Sequence, residues 1–141
     1  MPNKPQLVSE IMTREVITLY EEDNLDKIEE GMNRYRFRHL PVVDDGKLVG
    51  LVTHRDLLRA AASALEPGGA QKTRLMNQNL FVRDVMQTEL ITVGPDEPLK
   101  AAGKLMMENK LGCLPVVDAE KNLVGIVTAT DYLELALRLL D

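Results

Sequence analysis

Apolar and polar positions follow two rhythms along this chain, and the same succession of rhythms occurs twice. Residues 15–19 (Glu-Val-Ile-Thr-Leu) and 89–93 (Glu-Leu-Ile-Thr-Val) are short apolar runs that predict strands. After each, apolar residues fall at i, i+3 and i+7 (Leu25, Ile28, Met32; Leu99, Ala102, Met106) with charged residues between them, which predicts a helix with one buried face. Leu40–Val43 and Leu48–Val52 then flank Asp44-Asp45-Gly46-Lys47, a β-hairpin signal repeated around Asp118–Asn122. A second helix is predicted from about Asp56 to Leu65 and again from about Asp131 to Leu140.

The two copies align residue by residue. Val8-Ser9-Glu10-Ile11-Met12 recurs 74 positions on as Val82-Arg83-Asp84-Val85-Met86, and His39-Leu40-Pro41-Val42-Val43-Asp44 recurs at the same offset as Cys113-Leu114-Pro115-Val116-Val117-Asp118. The second copy then gains one residue, so that Leu48–Asp56 matches Leu123–Asp131 at an offset of 75. Two copies are too few for a solenoid, and they predict a pair of modules related by a pseudo-twofold axis. Glu66-Pro67-Gly68-Gly69 marks the break between them, where neither helix nor strand would keep Pro and Gly. The expected division is 7–65 for the first repeat, 66–79 for a linker and 80–141 for the second repeat.

Composition narrows the function classes. The 141 residues carry 45% hydrophobic side chains, no Trp and a net charge of −5, which fits an aliphatic core and disfavours nucleic acid as the main ligand. One cysteine, Cys113, excludes an intrachain disulfide and a Cys-based zinc cage, and is expected to be a buried, inert thiol. The start of the chain lacks the apolar run of a signal peptide, and no stretch is long enough to span a membrane, so a cytoplasmic location is expected. His39 and His54 have no motif-level nucleophile or metal partner, and no catalytic activity, metal or cofactor is expected.

The doubled order of V-x-x-I/V-M, I-T-L/V, L-P-V-V-D and G-h-V-T-x-x-D (h apolar; Gly50–Asp56 and Gly125–Asp131) resembles the tandem CBS domain, named after cystathionine beta-synthase. The resemblance covers roughly residues 7–65 and 80–140. It implies an α/β fold of two β-α-β-β-α modules paired about a pseudo-twofold axis into one disc-like domain. It also implies two clefts that often take adenosine-containing ligands such as AMP, ATP or S-adenosylmethionine.

Thr53-His54-Arg55-Asp56 and Thr128-Ala129-Thr130-Asp131 read in two ways. Thr followed three residues later by Asp is a capping-box pattern at a helix start. The same geometry offers N–H donors to a phosphate and a carboxylate to both hydroxyls of a ribose. Carried over by position, the resemblance assigns Ile17, Phe37, Arg38, Thr53 and Asp56 to the first cleft, and Met86, Ile91, Leu111, Gly112, Thr128 and Asp131 to the second. Plain core packing is the competing reading for Ile17, Ile91 and Leu111. Basic groups are one-sided: Arg34, Arg36, Arg38, His39, His54, Arg55 and Arg59 lie in the first copy, against Lys110, Gly112, Cys113, Ala129 and Thr130 at comparable places in the second. The implied axis would turn Arg38, His39 and Arg55 toward the phosphate of a nucleotide whose ribose sits on Asp131.

The helices Leu57–Leu65 and Tyr132–Leu140 are apolar around most of their circumference, which predicts a homodimer through these terminal helices. The expected function is a stand-alone regulatory module that binds AMP, ADP or ATP and signals to an as yet unknown regulated protein. An attached enzyme is disfavoured because the chain begins and ends at the module edges. The alternatives are a dimerisation or interaction module with unoccupied clefts, and a sensor of S-adenosylmethionine or NADH.

Overall fold

A computed structural model describes residues 4–25, 28, 32, 38–63 and 80–140. The expected linker at 66–79, Leu65, Phe37, Arg34 and Arg36 lie outside the described residues. The elements run in the order 3-10 turn (Val8–Glu10), β1 (His39–Asp44), β2 (Lys47–Thr53), α1 (His54–Ser63), α2 (Val82–Val85), α3 (Leu99–Asn109), β3 (Cys113–Val117), β4 (Leu123–Thr128) and α4 (Ala129–Leu139).

Turn chemistry sets each hairpin. Asp45 and Gly46 join β1 to β2 with φ of 52° and 80°, the positive pair that a two-residue type I′ turn requires and that Asp-Gly readily supplies. The β3–β4 connection holds the extra residue of the second repeat. There Asp118 accepts from the backbone N–H groups of Glu120 and Asn122 through Oδ1, both at 2.9 Å, and Lys121 takes the left-handed conformation with φ 69°. Each ladder carries a bulge at the same place, with register shifts between Val42 and Val43 and between Val116 and Val117.

The predicted strands at 15–19 and 89–93 shrink to single rungs. Leu19 donates to the Pro41 carbonyl and accepts from Val43, and Val93 donates to Pro115 and accepts from Val117. The next rung of a parallel ladder would run from the N–H of residue 41 or 115 to the carbonyl of Ile17 or Ile91, and proline has no N–H to give. The second helices start two residues earlier than expected, at His54 and Ala129, because the Thr of each Thr-x-x-Asp is itself the cap and the Asp is the third helical residue.

The chain packs as two compact units, Ile17–Leu90 and Met1–Val16 with Ile91–Asp141. Each unit runs in the expected β-α-β-β-α order, its first strand reduced to the rung at Leu19 or Val93. Leu25, Ile28 and Met32 are helical and buried in one core, with Leu40, Val42 and Val52. Leu99, Ala102 and Met106 of α3 are buried in the other, with Leu114, Val116 and Val127. These are the positions that the helical and strand spacing marked.

Units and repeats are not the same partition. The leading segment of each repeat packs in the unit built on the other repeat's hairpin. Val8 and Ser9 donate to the carbonyls of Glu97 and Pro95, and Thr13 exchanges two backbone hydrogen bonds with Ile126 on the outer edge of β4 (2.8 and 3.0 Å). Val82 and Arg83 make the same bonds to Asp23 and Glu21, and Gln87 exchanges two with Leu51 on the edge of β2 (3.0 and 2.9 Å). The approach is close because Gly125 and Gly50 lack a side chain. A Cβ on Gly125 would lie 2.7 Å from Met12 Sδ and 2.9 Å from the Thr13 carbonyl oxygen, and one on Gly50 would lie 2.5 Å from Met86 Sδ and 3.1 Å from the Gln87 carbonyl oxygen.

His39 and Cys113 head β1 and β3 and pair with Thr53 and Thr128. Burial pushes the Cys113 thiol up to about 12, so it stays protonated at neutral pH, as expected of an inert thiol. Burial, and then the neighbouring Arg38 charge, hold His39 below its ordinary 6.5.

Gly125→Ala is expected to lower unfolding stability by about 1–3 kcal/mol, since a backbone oxygen cannot swing aside as a Met side chain can. Gly94→Ala is the control: its nearest obstacle, the Val117 carbonyl oxygen, is 3.8 Å away, and it should change the urea midpoint much less. Because the folded value of His39 is depressed, the stability at stake is present in full above the ordinary 6.5 and is lost as pH falls through it, where the unfolded chain takes up a proton first. Urea midpoints should therefore decline below that pH in the wild type, and His39→Gln should flatten that part of the profile.

Candidate functional site

In each unit, register brings the residues singled out by sequence to one end of a small sheet. The rung at Leu19 is parallel to β1, so Ile17 lies back toward the start of β1, where His39 faces Thr53 and α1 begins. In the other unit, Ile91 precedes the parallel rung at Val93, and Cys113 faces Thr128 where α4 begins. A backbone hydrogen bond closes each end: His54 donates to the Arg38 carbonyl (2.8 Å) and Ala129 to the Gly112 carbonyl (2.9 Å). Residue pairs that correspond in the repeats thus occupy corresponding places.

The Thr-x-x-Asp turns form capping boxes. Asp131 Oδ2 accepts from the Thr128 backbone N–H (2.8 Å) and hydroxyl (3.1 Å), while the Thr128 hydroxyl oxygen accepts from the Asp131 N–H (3.2 Å). Thr53 and Asp56 repeat the pattern at 2.8, 2.9 and 3.2 Å. The cap engages only Oδ2, and a carboxylate offers about four acceptor sites on two oxygens. Capping and ligand binding are therefore compatible at one residue.

The two carboxylates have different surroundings. Asp131 is partly exposed, and among the described residues its Oδ1 has no hydrogen-bond partner. Asp56 is only 8% exposed and also accepts from the Gln87 side-chain amide, at 3.1 Å on Oδ1 and 3.3 Å on Oδ2. Sequence reading passed over Gln87. Its signal was a mismatch, since the aligned Met12 and Met86 are followed by Thr13 in one copy and Gln87 in the other.

The remaining candidates divide by unit. Ile17, Arg38, His39, Thr53, Arg55 and Asp56 belong to Ile17–Leu90, and Ile91, Leu111, Gly112, Thr128 and Asp131 to the other unit. Met86, grouped with Asp131 by the resemblance, lies in the unit that carries Asp56, because the exchanged segment sets it over Gly50. Ile17 and Ile91 are not core residues: they are 51% and 38% exposed. Leu111 is half-buried against its unit's core, and Gly112 is exposed. Arg38 and Arg55 are exposed, with the half-buried His39 and His54 beside them in sequence. Among the described residues no group of three or more His, Cys, Asp or Glu is arranged to hold a metal ion, and no helix is long and apolar enough to cross a membrane.

Comparison with known proteins agrees with the motifs. The CBS domain family matches residues 8–63 and 82–138. A CBS domain-containing protein of Dictyostelium discoideum is 34% identical over 137 residues, covering 96% of this chain and 94% of the relative. Other relatives are longer, and the chain spans 46% of one and 22% of another. Among solved structures, CBSX2 in complex with AMP superposes with a TM-score of 0.81 at 28% identity, over 97% of this chain and all (100%) of that one. A CBS domain pair in complex with 5-methylthioadenosine and S-adenosyl-L-methionine superposes at 0.78 and 29% identity, over 95% and 98%. Two matched repeats, the capped Thr-x-x-Asp turns and the shared fold establish that this chain belongs to the CBS domain family.

Proposed function

We propose that this chain is a cytoplasmic regulatory module, without catalytic activity of its own, that binds an adenine nucleotide (AMP, ADP or ATP) at its Thr-x-x-Asp turns and works as a homodimer to inform a partner protein. The observation that carries the reading is the Asp131 carboxylate, fixed by its cap through Oδ2 and left with Oδ1 open among the described residues. A vicinal diol needs two acceptors from a rigid carboxylate, and Oδ1 has two lone pairs for it. The proline-shortened ladder supports the same reading. Ile91 keeps an exposed apolar side chain and a carbonyl without its rung, suited to the face and the edge of a base. The solved relatives in complex with AMP and with S-adenosyl-L-methionine support an adenosine moiety as the common element. In the unit Ile17–Leu90, Arg38 and Arg55, exposed beside the start of β1 and at the start of α1, suit the phosphate of a nucleotide at the Thr53–Asp56 turn.

Helix α4 supports the dimer. Tyr132 and Leu135 turn to their own core, and the Tyr132 hydroxyl donates to the Leu99 carbonyl at 2.7 Å. Leu133, Leu137 and Leu140, at i, i+4 and i+7, form a stripe that is 60%, 60% and 79% exposed. That stripe also favours the competing reading, a dimerisation module whose sites take no nucleotide.

In a thermal-shift series with AMP, ADP, ATP, S-adenosylmethionine and NADH, an adenine nucleotide at about a hundredfold excess over its Kd should stabilise the protein by about 2.7 kcal/mol. Asp131→Asn should remove most of that shift, and no shift with any ligand decides for the competing reading. By calorimetry, Arg38→Ala should weaken AMP more than adenosine; equal losses exclude Arg38 from phosphate binding. Light scattering at tens of micromolar should give a dimer that Leu137→Glu dissociates, and a wild-type monomer refutes the interface.

A further inference from the structure

We propose that Gln87 is a built-in competitor for the Asp56 carboxylate, so that the two Thr-x-x-Asp sites of this chain bind a ribose diol unequally and the Asp131 site fills first. The inference rests on the nucleotide-binding reading above and adds which carboxylate is open and what closes the other. It follows from counting acceptor sites. Each cap uses two of the roughly four that a carboxylate offers. The remaining two are on Oδ1, where at Asp56 the Gln87 amide donates at 3.1 Å while also lying 3.3 Å from Oδ2, and at Asp131 nothing among the described residues does so.

The position of Gln87 is fixed by the backbone. Gln87 is held on the edge of β2 by its two hydrogen bonds to Leu51, as Thr13 is held on β4 by Ile126. From equivalent places the two side chains differ in reach. A glutamine amide stands three carbons out from the backbone, whereas a threonine hydroxyl stands one. Gln87 is itself exposed, so it has room to swing aside, and its effect is competition rather than blockage. A ribose entering at Asp56 has to replace a hydrogen bond to a charged group, which corresponds to a loss of roughly tenfold in affinity. The asymmetry lies in one residue and needs no difference between the caps, whose bond lengths agree within 0.2 Å.

The experiment is titration calorimetry of the full chain with AMP and with adenosine. The wild type should bind in two unequal steps, the tighter abolished by Asp131→Asn and the weaker by Asp56→Asn. Gln87→Thr, which copies the other repeat, should tighten the weaker step by roughly tenfold and leave the tighter one unchanged. Gln87→Leu, which removes the side chain's N–H donor, should tighten that step as well. Gln87 is exposed, so both variants should melt close to the wild type by circular dichroism. Two equal steps in the wild type, or two steps that neither substitution moves, overturn the proposal while leaving the nucleotide-binding reading intact. If the wild type binds neither probe and Gln87→Thr acquires a site, the competitor stands and the Asp131 reading falls; if neither protein binds, both fall.

Discussion

The contact on which the rest of this structure depends is the approach of a methionine-bearing segment to a glycine in a strand of the other repeat. Gly125 and Gly50 let the backbone of Thr13 and of Gln87 come within hydrogen-bonding distance of β4 and β2, with Met12 and Met86 lying over the space that a side chain would fill. That contact adds a further pairing at the outer edge of each hairpin, covering backbone groups that would otherwise be exposed. It also places Gln87 beside the capped carboxylate of Asp56. A scaffold requirement, the packing of an edge, thereby positions a group with consequences for ligand chemistry.

The capping box and the ribose site looked like rival readings of the same four residues. Atom by atom, they are complementary. The cap engages one carboxylate oxygen and so holds the other in a fixed direction, which is the preorganisation a diol receptor needs. Proline plays a comparable double part at the opposite side of the same sheet end. Pro41 and Pro115 are buried in their strands, and by withholding an N–H each releases the residue before the first rung from the ladder. A fully paired strand there would have no backbone to offer a ligand.

Much of this was legible in the sequence because its causes are local or periodic. The doubled motifs gave the family and the β-α-β-β-α order, the apolar spacing gave the buried face of each first helix, and Asp-Gly gave the first hairpin turn. What escaped depended on pairs distant along the chain. Ile17 lost its strand partner to a proline in β1, and no propensity at Ile17 itself records that. Met86 packs over Gly50 of the other repeat's hairpin, and alignment tells which residues correspond and not which hairpin a segment packs on. Gln87 meets Asp56 across a sequence separation of 31. Only a departure from the repeat, Thr in one copy and Gln in the other, marked it as special.

The exchange of leading segments also gives the chain a direction in time. The unit Ile17–Leu90 is continuous in sequence, so every one of its residues has been synthesised once Leu90 has been added. The other unit joins the first residues to the last. Thr13 has no strand to pair with until Ile126 exists, and Val8 must wait for the loop before α3. Contacts of such long range are entropically costly to close and slow to form. During synthesis, the segment around Met12 thus stays without its partner strand until β4 arrives to shelter it.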